Sequence, residues 1–564
     1  MEWNSRLAGS RHLRCRKMNI SVLKRLQNYP CLPILLGISV FLLLTGGDIL
    51  RPTNTNWLRI GDAATHLVGW EFFRNTPLLQ WPLGANPDYG LALGSSVIFS
   101  DSIPLLAFLA KPFSPLLPDQ FQYTGIWLLL CFLLQSLLAW KLMSGFTRDR
   151  LFLATGTLFF LTAPPFILRI PGHFSLAGQW LILAGLCLYF SVRYSIFRWV
   201  LLLLTSALVM PYLLVMTGLI LIADLIQRYW KKQLSAGKAS AGLLLSGTSV
   251  ILVMWAAGYF MLGSGVEDSG FGFYRMNLLS PLDPDGSWSR LLRDQRGGPG
   301  DYEGFNYLGL GMMGMGFAAA VHLPTALKFM DRARIIPLLV MSLALTLYAF
   351  SSHVAVGGHE LLSYELPAVA RHFTGAFRSS GRFFWPVYYL LFLAVFYLVF
   401  TRFRHREAVT ICLLALILQI ADPVNAWIET RNLFINSPGW SSPMRSPEWD
   451  ELGTRYRKIL LVPPVNASPL WLPLSDFARR HRMGTNAGYF SRVNPDRVRK
   501  ESERLAESIR NRVLDSDTLY VFEDDFLWET ASRDAAGSGR AIILDGFRIM
   551  LPPPSPVRPR LQSP

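Results

Sequence analysis

Gly61-Asp62-Ala63-Ala64-Thr65-His66 follows the first hydrophobic run of the chain, and Trp70-Glu71-Phe72-Phe73 comes soon after it. A carboxylate and an imidazole therefore stand in the first loop past an apolar segment, beside aromatics of the kind that settle in the headgroup layer of a bilayer. A carboxylate at that depth can act as a base on a substrate carried by a lipid. The same residue also reads as the cap of a helix over 63–73, and the two readings do not exclude each other. His66 lies four residues on, on the same helical face. It could share a divalent metal with Asp62 or orient it by a hydrogen bond, although D-x-x-x-H is also what an interfacial histidine without a ligand role shows. Glu71 falls on a different face, where it reads either as a further supporting acid or as a simply solvated one.

The elements that must position these groups are set by composition. The chain has 564 residues, 51% of them hydrophobic, with 54 Lys/Arg against 38 Asp/Glu. Apolar runs recur at 32–50, 121–141, 151–169, 175–192, 198–210, 212–227, 241–262, 305–323, 336–352, 383–400 and 408–421, which predicts about eleven membrane crossings. From Asp422 onward 20 basic residues meet 18 acidic ones, so nearly all of the +16 net charge lies in the membrane part. It sits in short loops at 141–150, 228–238, 328–334 and 402–406, as the positive-inside rule expects of a cytoplasmic face. No basic stripe suits a nucleic acid. The stretch 97–118 is apolar but broken by Lys111-Pro112 and Pro115, which favours a re-entrant or interfacial element over a crossing.

This arrangement divides the chain into a basic cytoplasmic leader (1–31), an all-α multi-span domain (32–421) with a large outer loop at 51–120, and a small extracytoplasmic α/β domain (422–564). Met18 is an alternative start. The five cysteines lie in the leader or in apolar runs, without metal or redox spacing. In the tail, Lys458–Val462, Thr518–Phe522 and Ala541–Leu544 read as strands, and Asn494-Pro495 opens a helix running to about Val513. The Pro-rich end from Leu551 reads as frayed.

One span, an acidic motif in the first outer loop, many further spans and a soluble outer tail together resemble the GT-C superfamily of integral-membrane glycosyltransferases. More narrowly, several motifs are similar to a bacterial multi-pass family of unknown function often grouped with that superfamily. These are the two motifs around Asp62 and Glu71, Ser100-Asp101-Ser102-Ile103-Pro104, Asn277-Leu278-Leu279-Ser280-Pro281-Leu282-Asp283-Pro284, Tyr302-Glu303-Gly304-Phe305-Asn306-Tyr307-Leu308-Gly309 and Ser380-Gly381-Arg382-Phe383-Phe384-Trp385-Pro386. The resemblance implies a bacterial inner-membrane enzyme working at the outer face. Its partners would be a polyprenyl-phosphate sugar donor, a glycan or lipid acceptor and membrane lipids. A divalent metal stays open as cofactor.

Under that resemblance Asp62 becomes the general base. Asp101 becomes a second acid of the kind many GT-C members carry in outer loops, against a local reading as an N-cap before Pro104. The leaving lipid phosphate calls for cations at the membrane edge. Arg382, Arg378 and Arg169 supply guanidinium forks there, with snorkelling as the plain alternative. Arg382 ranks first because Gly381 beside it would let a headgroup approach. Asp88 reads as a turn residue. The acids of 263–304 (Glu267, Asp268, Asp283, Asp285) suit any solvated loop, and Asn466-Ala467-Ser468 matches a sequon that is common by chance. Two other classes compete with an enzyme: a transporter or flippase of lipid-linked glycans, and a non-catalytic scaffold in envelope glycan assembly. The flippase needs charged groups at span centres, and these centres are mostly clean.

Overall fold

The computed structural model describes residues 31–263, 270–324, 331–367, 374–437, 439–533 and 539–553. Residues 1–30 of the leader, 554–564 of the Pro-rich end, Glu267 and Asp268 lie outside them, and Leu551, expected to begin the frayed end, instead closes a strand. The described chain is mostly helical, with a small mixed sheet near the C-terminus.

Among the described residues five helices are long and apolar enough to cross a membrane: Thr124–Met143, Pro211–Trp230, Ala236–Ala257, Arg332–Phe350 and Ser380–Arg402. A sixth crossing is formed if His405–Ala421 and Val424–Ile435, bent by 53°, count as one span. The expected eleven are therefore not reached by length and composition. Apolar runs merge several short elements that prolines and glycines separate. The run 151–169 holds Arg150–Leu161 and then Pro164–Ile167, broken at Thr162-Ala163 ahead of two prolines. Gly309 at φ 85° opens the Leu310–Ala320 helix and leaves it 11 residues. The stretch 97–118 contains only the seven-residue helix Pro104–Ala110 and a 3-10 turn over Lys111–Leu116. At 1.5 Å per residue that helix is about 10 Å long and cannot cross.

The C-terminal unit is an α/β sandwich half with strand order β4-β3-β5-β7-β6. Its strands are β3 (Lys458–Val462), β4 (Gly484–Thr485), β5 (Thr518–Phe522), β6 (Arg540–Leu544) and β7 (Phe547–Leu551). A separate hairpin, β1 (His353–Val356) with β2 (His359–Ser363), follows the Arg332–Phe350 helix. β3 runs parallel to β4 and β5, and β7 closes antiparallel on both β5 and β6. The helix Pro495–Arg510 begins where Asn494 accepts from the backbone N–H groups of Asp496 and Arg497. It buries Leu505 and Ile509 against the sheet.

The sheet is docked on the first outer loop. Thr485 donates to the Asp88 carbonyl at 2.9 Å, and Gly90 donates to the Thr485 carbonyl at 2.8 Å, so the loop extends the β4 edge. Tyr89 stacks on Phe72 and packs against Phe490. Glu71 completes the joint. It is buried rather than solvated, 3.1 Å from Arg479 and 3.6 Å from Arg59, while Arg59 also meets Asp476 at 2.7 Å. Burial pushes the Glu71 carboxyl up, against the pull of the Arg479 and Arg59 guanidiniums. It lies nine residues past Asp62, about 13 Å along the helix. Glu71 thus holds the two domains together and is not a supporting acid of the Asp62 cluster.

Candidate functional site

The helix Gly61–Phe73 presents Asp62 in its first turn. The N-cap is Ile60, and no side chain caps the helix, so the capping reading of Asp62 does not hold. Its carboxylate is 43% exposed, in the field of a helix N-terminus that favours negative charge. Two groups flank it. His173 Nε2 stands 3.6 Å from Asp62 Oδ2, too far for a hydrogen bond. The Tyr489 hydroxyl, from the C-terminal domain, faces the same carboxylate.

Asp101 is brought to this place by close packing. An added Cβ on Gly69 would lie 2.0 Å from Ser100 Oγ and 2.3 Å from Ser100 Cβ, so only glycine lets the 100–102 loop lie on the helix. Ser102 Oγ donates to the His66 carbonyl at 2.8 Å and fixes the contact. Asp101 and Ile103 both adopt left-handed backbone, at φ 52° and 50°. That is costly for a β-branched residue, and such strain gathers at functional sites. The cap of the Pro104–Ala110 helix is Ile103, without a side-chain bond, so Asp101 is not the N-cap. Its carboxyl instead faces Arg382, Arg492, Arg378 and Asp62. Burial, helped by the Asp62 charge and opposed by the three arginines, pushes it up to about 6.

Gly69→Ala is expected to lift the 100–102 loop and carry Asp101 away from Asp62. The cost is about 1–3 kcal/mol of stability, readable as a lower thermal midpoint in detergent. An unchanged midpoint would show that the loop has room the structure does not.

His66 lies one turn deeper than Asp62. It is buried, edge-on to the Phe174 ring at 4.8 Å, and beside the Asp101 and Gly172 backbone. It is not Asp62's partner; His173 has that place. Burial pushes His66 down to about 3 and His173 likewise to about 3, so both are neutral at physiological pH. The sign follows directly. The unfolded chain takes up these protons near 6.5 and the folded one does not, so their contribution to stability is present above pH 6.5 and is lost as pH falls toward 3. The thermal midpoint is expected to drop between pH 7.5 and 5, and to drop less in His66→Phe. Equal drops in both proteins would remove His66 as a cause.

Behind Asp101 lies a buried three-member ion cluster. Arg382 grips Glu303 with both prongs, Nη2 to Oε1 at 2.7 Å and Nε to Oε2 at 2.9 Å. Arg169 Nη2 meets Glu303 Oε2 at 2.8 Å. Burial alone would push the Glu303 carboxyl up, but the two guanidiniums hold it well below the usual carboxylate range. The role expected of Gly381 changes accordingly. An added Cβ there would lie 2.4 Å from Gly304 Cα, so the glycine admits the backbone beside Glu303 and not a headgroup. Arg378 stacks over Tyr274 at 5.4 Å, and the Arg492 guanidinium donates to the Ala376 and Ser491 carbonyls.

The structure therefore gathers Asp62, His66, Asp101, Arg382, Arg378 and Arg169, and excludes Glu71. It adds His173, Glu303, Tyr489 and Arg492. Glu303 was visible as an acid in an otherwise apolar motif, and His173 as a polar residue in a short loop. Tyr489 and Arg492 carried no local signal. Among the described residues no group of three or more His, Cys, Asp or Glu is arranged to hold a metal ion.

Fold and cluster define a helical membrane protein in which Asp62 and Asp101, from the 51–120 segment, face a group of arginines drawn from other parts of the chain. The chain belongs to the family described as a domain of unknown function (DUF6311), which it matches over residues 34–423, and it matches the DUF6311 C-terminal domain over residues 448–552. No curated protein matches it. Among solved structures it is similar to the archaeal oligosaccharyltransferase AglB from Archaeoglobus fulgidus, in complex with an inhibitory peptide and a dolichol-phosphate. The identity is 12% and the TM-score 0.38, over 88% of this chain and 69% of that one. At that level the likeness supports no inference.

Proposed function

We propose that the protein is an inverting membrane glycosyltransferase of GT-C type. It moves a sugar from a polyprenyl-phosphate-linked donor to a glycan or lipid acceptor at the outer face of a bacterial inner membrane. Asp62 takes the proton of the acceptor hydroxyl as its oxygen bonds the anomeric carbon. The bond from that carbon to the phosphate oxygen breaks, and the electron pair leaves with the lipid phosphate. This leaving group needs little acid help, so one base is sufficient. Asp101, ionised above pH 6, is the second acid of the site. Neutral His173 and the Tyr489 hydroxyl orient the base.

The Arg169–Glu303–Arg382 cluster carries one net positive charge, and Arg378 and Arg492 add theirs on the Asp101 side. Together they offer the departing phosphate a cationic wall in place of a single grip. The observation that supports this reading most is the freedom of Asp62. It is an accessible carboxylate at a helix start that caps nothing and faces the polar cluster.

The test is a panel of labelled polyprenyl mono- and diphosphate sugars, offered to protein in lipid with membrane extract as acceptor. Label transfer with release of the carrier phosphate supports the enzyme and identifies its donor. No turnover of any donor by folded protein overturns it in favour of a flippase or scaffold.

A further inference from the structure

The strongest surface feature outside the site is an apolar apron made by two segments of the first outer loop. Thr76 to Leu83 contains no charged residue, and Pro104 to Leu117 contains only Lys111. Loops facing water are not built this way. Yet while Leu105, Leu106, Phe108 and Leu117 pack inward, several large side chains of both segments point away from protein. Leu79 is 87% exposed and Leu116 84%, with Leu78, Trp81, Leu109 and Phe113 also exposed.

The two segments are fastened side by side. Arg74 donates to the carbonyls of Ser114, Leu117, Pro118 and Asp119. Lys111 is turned inward: its Nζ donates to Thr76 Oγ1 at 2.7 Å and to the Pro77 carbonyl at 2.9 Å, and lies 4.0 Å over the Phe73 ring. Burial pushes the Lys111 amine down to about 8. A cation on a wet loop gains nothing by hiding. One facing hydrocarbon must hide or find partners.

The apron continues an apolar surface. Leu83 donates to the Ala256 carbonyl at 2.8 Å, and Trp81 packs edge-on against Trp255 at 4.6 Å. Both partners lie at the end of Ala236–Ala257, the candidate span least covered by protein. The paired tryptophans thus sit where a membrane surface would meet that helix end, the depth indoles prefer.

We infer that 76–83 and 104–117 form an interfacial membrane-binding apron, buried in the lipid at the membrane boundary and continuous with the lipid-facing side of Ala236–Ala257. The apron carries no crossing. It leads directly off the helix that bears Asp62 and so sets the height of that carboxylate above the bilayer. The inference stands on these contacts and does not depend on the glycosyl-transfer reading.

The test is a depth measurement on the full chain in phosphatidylglycerol/phosphatidylethanolamine vesicles. Leu79→Cys and Leu116→Cys are made separately with Cys15 and Cys31 replaced by Ser, since Cys131, Cys187 and Cys412 are buried. Each carries a nitroxide, and Glu503→Cys on the Pro495–Arg510 helix is the aqueous control. Collision with oxygen is compared with collision with a nickel chelate. Oxygen access exceeding nickel access several-fold at both apron sites, and not at the control, is the expected result. Apron labels matching the control overturn the proposal. Labels shielded from both reagents also overturn it, in favour of a protein interface between copies. Both side chains point away from the protein, so neither substitution disturbs its packing.

Discussion

Asp62→Asn is expected to lower turnover by about 10²–10⁴-fold, the usual contribution of a positioned general base, while leaving the protein as stable as the wild type. The stability half of the claim comes from the geometry. Asp62 caps nothing, is 43% exposed, and faces His173 at a distance too long for a hydrogen bond. Asparagine keeps its shape and can still face the Tyr489 hydroxyl. What it cannot do is take a proton from the acceptor. The check is to measure donor turnover and thermal midpoint on the same preparation, with carrier release followed separately from label transfer. Loss of transfer with an unchanged midpoint identifies the base. Equal turnover by both forms keeps the enzyme and removes Asp62 from that role, leaving Asp101 as the remaining carboxylate of the cluster. A fall in both quantities would make Asp62 a structural residue after all.

The position of Asp62 was legible because its signal is local: an acid in a short helical motif just past an apolar run. Arg382 was legible for the same reason, but its task was not. The partner that defines it, Glu303, is 79 residues away, and pairings of that range leave no periodicity to read. The same limit hid Tyr489, which reaches Asp62 only because the first outer loop extends the β4 edge. Asn494 announced its helix, since a cap acts within three residues. β4 did not announce itself, because two residues have no alternation to show. The span count failed differently. Hydropathy adds residues along a run and does not register that Thr162-Ala163 ahead of Pro164 divides one run into two helices. Glu71 looked solvated because the helix face it occupies is covered by Arg479 and Asp476, and those residues belong to a domain folded from the far end of the chain.

Glu303→Gln is expected to be the most damaging single change away from the base. It retains the shape of the side chain but leaves Arg169 and Arg382 buried together without the carboxylate that bridges them, Asp101 being the acid that still faces Arg382. Removing one partner of a buried ion pair costs about 3–5 kcal/mol, because the remaining charge is stranded. Here two like charges lose the carboxylate between them, and the Arg382 fork keeps one acceptor where it had two. The thermal midpoint in detergent is expected to fall accordingly. Lowering the pH should not produce the same loss. The two guanidiniums hold the Glu303 carboxyl well below the usual carboxylate range, so its contribution is lost only as pH falls through that depressed value. Acid weakening between pH 6.5 and 5 therefore belongs to the buried histidines. A cycle separates a coupled cluster from general damage: Glu303→Gln, Arg169→Gln and the pair together. The double variant restores the net charge of one and is expected to be more stable than the sum of the single effects by at least about 1 kcal/mol. Strict additivity would show that Arg169 and Glu303 do not stabilise each other. Recovery of stability without recovery of transfer would show that Arg169 has a second task at the phosphate.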